Sequence, residues 1–114
     1  MIVINELTLV VSTDFSPTPG PRKILEGKFS GEEFRESYLE PKLKEAIEKN
    51  TKLLIDLDST AGFGTSFLEE AFGGLIRINK YSYEEILNHI ELKSVEEDYL
   101  IDDIKWYLKD AANK

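Results

Sequence analysis

The sequence predicts a small α/β layer fold, with helices set against a mixed or mostly parallel sheet. Three observations carry that prediction. Apolar, β-branched runs stand at 2–11, at 52–58 and in "HIELKS" (89–94). Amphipathic helical periods lie between and after them. Helix starts are marked by Ser-x-x-Glu at Ser30/Glu33, Ser66/Glu69, Ser82/Glu85 and Ser94/Glu97. This is the capping box, in which serine and glutamate reciprocally satisfy free backbone N–H groups. The predicted order is β(β)αβα(α)βα.

Residues 2–11 are rich in Ile, Val, Leu and Thr, which predicts a strand or a close pair of strands. "STDFSPTPGPRK" follows with three prolines and a glycine. It reads as a loop, because proline can neither donate to a ladder nor continue a helix. "RKILEG" returns as a short strand. The first helix is placed at 31–49, with Phe34, Leu39, Leu43, Ala46 and Ile47 on one face. Pro41 inside it should kink it or start a second helical piece. Lys52–Asp58 is apolar on both faces at its start, which predicts a central strand covered on both sides. The second helix carries Phe67, Leu68, Ala71, Phe72, Leu75 and Ile76. Gly73 and Gly74 would each cost it about 1 kcal/mol relative to alanine, so they predict close backbone contact or an early end. A short helix over 83–88 leads into the "HIELKS" strand. The last helix runs over about 95–111, with Val95, Leu100, Ile104, Leu108 and Ala111 inward and Trp106 and Tyr107 at the core or its edge.

The length of 114 residues predicts one domain spanning 1–114 and a single core. The net charge of -8 disfavours nucleic acid and anionic membranes as partners. With no cysteine, disulfides, thiolate catalysis and cysteine-held metals are excluded. The single histidine, His89, cannot form a histidine-rich metal site. The start "MIVINELTLVV" lacks a basic region and is interrupted by Asn5 and Glu6, which argues against a signal peptide. No apolar run approaches the ~20 residues of a membrane helix. The expected compartment is the cytoplasm, with no cofactor and no metal.

The chemistry concentrates in "LLIDLDSTAGFGTSFLEEAFGGLIR" (53–77). An apolar strand ending in Asp-x-Asp-x-Thr resembles the first motif of haloacid-dehalogenase-type phosphohydrolases. That resemblance would make Asp56 the nucleophile and Asp58 the acid/base beside Mg²⁺. The later lysine and acidic pair of that family are missing; Asp102 and Asp103 fall in the predicted last helix. "STAGFGTS" places Gly62 and Gly64 before a helix start, where anions are attracted, but it lacks the lysine of a Walker loop, and Asp58 would repel a phosphate.

The segments "GKFSGEEFRESYLEPKL" and "LLIDLDSTAGFGTSFLEEAFGGLIR" together resemble the STAS-like family of bacterial and archaeal small proteins, over most of the chain. That family is related to the STAS domains of sulfate transporters and anti-sigma factor antagonists. The resemblance implies a small mixed sheet with helices packed mainly on one face. It also implies a non-enzymatic regulatory module that binds another protein, commonly an ATPase-fold serine kinase. In the antagonists a Ser or Thr before the second helix is the phosphorylation switch, within Asp-Ser-Ser-Gly-Leu. Laid on this chain, that motif falls on Gly64, Thr65, Ser66, Phe67 and Leu68, so Ser66 takes the phosphoserine position. Gly64 replaces the aspartate and Phe67 the glycine; what transfers best is the fold.

The expected interaction site is therefore Asp58, Gly62, Gly64, Thr65, Ser66, Glu69 and Glu70. Ser66 is also expected to cap the second helix with Glu69, and a phosphate there would gain from the helix dipole but lie close to Glu69 and Glu70. Asp58 reads as a turn former bonded to loop backbone, and Glu69 and Glu70 as first-turn charge. Arg22 and Arg35 are available to pair with these carboxylates, although solvent-exposed helix charge is the expectation for Arg35.

Overall fold

Alternation along Leu53–Asp56 explains the centre of the molecule. In this computed structural model, which describes residues 6–114, Leu53 and Ile55 are fully buried while Leu54 and Asp56 are half-exposed. This strand, β2, lies between β1 (Leu7–Val10) and β3 (Ile90–Lys93). Both pairings are parallel: Leu9 stands beside Ile55, and Ile55 beside Leu92. Of the mixed and mostly parallel alternatives, the described strands follow the parallel one. β2 is central, as its apolar start predicts. Among the described residues, however, only one sheet face is buried. The other carries Thr8, Val10, Leu54, Asp56, Glu91 and Lys93, all half-exposed or exposed. The expected part of the first strand at 2–5 lies outside the described residues.

Parallel neighbours need long crossovers, and helices supply them. Helix α1 (31–48) joins β1 to β2; α2 (65–77) and α3 (Tyr83–His89) join β2 to β3; α4 (Tyr99–Ala112) closes the chain. The C-terminal half of α1 packs on β1 and β2, α3 packs on β3, and α2 packs between α1 and α4. The predicted apolar faces hold. Phe34, Leu39, Leu43 and Ala46 of α1, Phe67, Leu68, Ala71, Phe72 and Leu75 of α2, and Leu100, Ile104, Leu108 and Ala111 of α4 are buried.

Both long crossover helices contain one wider π turn, Arg35–Leu39 in α1 and Glu69–Gly73 in α2. In α1 this turn hands over to the segment that begins with Glu40 and Pro41. Proline lacks the N–H of a regular ladder, so the disturbance predicted for Pro41 takes the form of a π turn just before it. Gly73 and Gly74 do not end α2, which continues to Arg77. They give room: a Cβ on Gly74 would lie 2.3 Å from the Arg35 Nη1.

Four expectations fail locally. "RKILEG" is not a strand but a 3₁₀ turn at Ile24–Glu26, leaving Leu25 fully exposed. Val95 is 76 % exposed because the last helix begins only at Tyr99. Ser94, buried, does not cap that helix; its hydroxyl donates to the Glu97 carbonyl. Trp106 is 62 % exposed, while Tyr107 beside it packs against the core.

Candidate functional site

Parallel strands bring all the loops that follow them to one edge, the usual place for binding in such sheets. Here the loops after Val10, Asp56 and Lys93 meet. Asp56 Oδ1 accepts from the Asp58 N–H at 3.0 Å, and its Oδ2 lies 3.4 Å from Lys93 Nζ. Asp58 Oδ1 accepts from the N–H groups of Val95 and Glu96, at 2.9 and 3.0 Å. Glu96 answers by accepting from the Ser59 N–H at 2.7 Å. Asp58 is thus the backbone-bonded turn former expected, but the backbone it holds belongs to the loop after β3.

The loop then bends outward. Gly62 has φ 122°, a conformation that favours glycine, and its N–H donates to Thr60 Oγ1. The Ala61 N–H donates to the Pro17 carbonyl, tying this loop to the one after β1. Beneath them Phe15 meets Phe29, Phe34, Tyr38 and Phe67, and Phe63 meets Phe67, at centroid separations of 5.2–6.2 Å. Aromatic contacts of this kind make a rigid floor.

Helix α2 starts above that floor. Gly64 is its N-cap and Thr65 its first residue. Ser66 therefore lies inside the first turn and does not cap the helix, contrary to expectation. Thr65 and Ser66 are both exposed, and the Ser66 hydroxyl has no hydrogen-bond partner among the described residues. Glu69, free of capping, turns elsewhere.

Glu69 and Glu70 enter an ion cluster. The Arg22 and Arg77 Nη1 atoms both bond Glu69. Arg35 Nη1 donates to Glu70 Oε2 at 2.6 Å and to the Glu70 carbonyl at 2.8 Å. Lys23 Nζ stands 3.3 Å and Arg22 Nη1 3.5 Å from Glu70 Oε1. The Arg35 and Glu70 side chains are each only 2 % exposed. Burial alone would raise both carboxyls. Hydrogen bonds and positive charge more than reverse it, from Arg77 and Arg22 for Glu69 and from Arg35 and Lys23 for Glu70. Both are held below the ordinary carboxylate range. The hydrogen bond that Arg22 donates to Glu69 in turn raises its guanidinium.

The structure therefore corrects two expectations, since Arg35 is buried and the two glutamates are more than first-turn charge. Arg22 does pair as anticipated. Lys23 and Arg77 were not legible as members, and two signals for the buried pair were. Arg35 precedes Leu39 by four residues and Leu43 by eight, on the apolar stripe. Glu70 precedes Gly74 by four, where a missing side chain leaves space.

Among the described residues no group of three or more His, Asp or Glu side chains is placed to hold a metal ion. No helix among them is long and apolar enough to cross a membrane. A family model described as a STAS-like domain of unknown function matches residues 30–100, well over half the chain. The chain belongs to this STAS-like family. No curated protein and no solved structure matches it. The STAS-like match begins at Ser30 and ends at Leu100, so it includes Arg35, Glu69, Glu70 and Arg77 of the cluster, while β1, Arg22 and Lys23 lie before it.

Proposed function

We propose that this STAS-like domain is a non-enzymatic regulatory module that binds another protein through the loop and helix start from Asp58 to Glu70, and that phosphorylation of Ser66 switches the binding. The partner class suggested by the family likeness is an ATPase-fold serine kinase or a similar regulator. One observation carries the reading. Ser66 is exposed and free of capping, at the first turn of a helix whose nearby carboxylates are already neutralised. Glu69 and Glu70 lie three and four residues on, the same-face spacing of a helix. Left unpaired, they would oppose a phosphate carrying about two negative charges. Four cations surround them instead, so the helix dipole and the excess positive charge act together in favour of the phosphate.

The phosphohydrolase alternative is weaker on the same geometry. Asp56 and Asp58 are both occupied with backbone N–H groups, and Lys93 stands beside Asp56. The test is affinity capture from the native host with Ser66, Ser66→Ala and Ser66→Glu baits, read by mass spectrometry that also scores phosphate on residues 59–66. The expected result is a partner retained by one of the two variants and lost by the other, with unchanged thermal melts. Identical partner sets for all three baits would end the switch. Turnover of an aryl phosphate with Mg²⁺, abolished by Asp56→Asn, would replace the binding reading with the enzymatic one.

A further inference from the structure

Among the described residues β3 is hydrogen-bonded on one side only, to β2, and its outer edge is bare. Beside that edge lies a groove of about 340 Å³ between α3 and α4, lined mainly by Ile86, Leu87, Ile90, Leu92, Ile101 and Leu108. We propose that a second copy of this chain docks here, adding its own β3 antiparallel across a twofold axis at Leu92.

The charges on the strand select this occupant. Ile90 and Leu92 lean toward the helical layer and pack against the core, while Glu91 and Lys93 stand exposed on the opposite face. A twofold axis through Leu92 brings each Glu91 opposite the partner's Lys93, giving two cross-strand ion pairs. Centring the axis on Glu91 or on Lys93 would instead oppose two like charges, which is destabilising. The sequence Glu-Leu-Lys thus fits itself in one register. The same charges discourage pairing with an unrelated edge.

Two further features agree. The axis stands perpendicular to the sheet, so both helical layers share one face and the two apolar grooves adjoin. Glu91 in the single chain faces Glu6, whose carboxyl is raised by their shared hydrogen bond, by burial and by like charge, with Lys52 opposing the rise; the partner's Lys93 adds a counter-charge on the other side of Glu91. Lys93 is available for this, since its contact with Asp56 is loose at 3.4 Å and its side chain is half-exposed.

Sedimentation equilibrium on the intact chain tests the proposal. The wild type is expected to dimerise. Glu91→Lys alone and Lys93→Glu alone should each weaken the dimer by about tenfold or more, ~1.4 kcal/mol. An equimolar mixture of the two variants should recover it as a heterodimer, visible by native mass spectrometry, because their charges complement each other. A merely misfolded variant would not be rescued by mixing. Independently of the charges, Leu92→Cys in this cysteine-free chain should oxidise to a symmetric disulfide dimer, since residue 92 faces itself across the axis. A wild type monomeric up to millimolar concentration overturns the proposal. So does a dimer indifferent to both charge variants, a mixture that stays monomeric, or a Leu92→Cys chain that does not cross-link.

Discussion

Arg35 and Glu70 form the costliest pair in the molecule to disturb. Each side chain is 2 % exposed, and the Arg35 Nε is buried without a hydrogen-bond partner among the described residues. Their partners are not equivalent. Glu70 also has Lys23 and Arg22 within 3.5 Å, whereas among the described residues the only carboxylate paired with Arg35 is Glu70. Glu70→Leu leaves a buried guanidinium uncompensated and is expected to lose about 3–5 kcal/mol in urea unfolding. Arg35→Met should lose less, because Glu70 keeps three cations, Lys23, Arg22 and Arg77, within 3.8 Å. The double variant should recover much of the Glu70→Leu loss, since well-packed apolar pairs often replace buried ion pairs at little cost. A strictly additive cycle would show that the two residues do not act as a pair.

Helix starts separate local sequence from assembled structure. Ser30 and Ser82 accept from the N–H groups of Glu33 and Glu85, both at 3.0 Å, and Ser82 completes its box as Glu85 accepts from the Ser82 N–H. Ser66 carries the same Ser-x-x-Glu signature without that bond. Its glutamate is taken by Arg22 and Arg77, and the helix starts two residues earlier than a Ser66 cap would place it, at Thr65. Serine-to-alanine changes should therefore cost about 1 kcal/mol at Ser30 and at Ser82 but only a few tenths at Ser66, read from thermal unfolding. A Ser66→Ala loss as large as the other two would restore the capping role and weaken the case for a free hydroxyl. Apolar periods were legible because each depends on one helix alone. Trp106 lies beside the buried stripe of α4 yet faces solvent, because neighbouring elements decide how wide a stripe is covered.

The chain as a whole carries -8, yet it gathers four cations around two carboxylates where the loop after β1 meets α2. That arrangement makes its stability acid-sensitive. Glu69 and Glu70 titrate below the ordinary value of 4.5 when folded, so the unfolded chain binds more protons as pH falls through that range. Their contribution is fully present above about pH 4.5 and is lost as pH drops through the folded values. Urea midpoints measured from about pH 6 to 3 should fall less steeply for Glu69→Gln than for the wild type. Equal slopes would mean that Glu69 is not held charged by its arginines.

By itself, the sequence determined the strand and helix order, the apolar faces, two of the caps and the glycine-bearing loop that leads into α2. All of these follow from neighbours a few residues apart, where the backbone period fixes which side chains share a face. Tertiary structure alone decided which members of the ion cluster meet. Arg35 reaches Glu70 across 35 positions and Arg22 reaches Glu69 across 47. Such pairings exist only once α1, α2 and the loop before them are packed, since burial is what turns ordinary helix charges into a fixed cluster and leaves Ser66 unbonded above it.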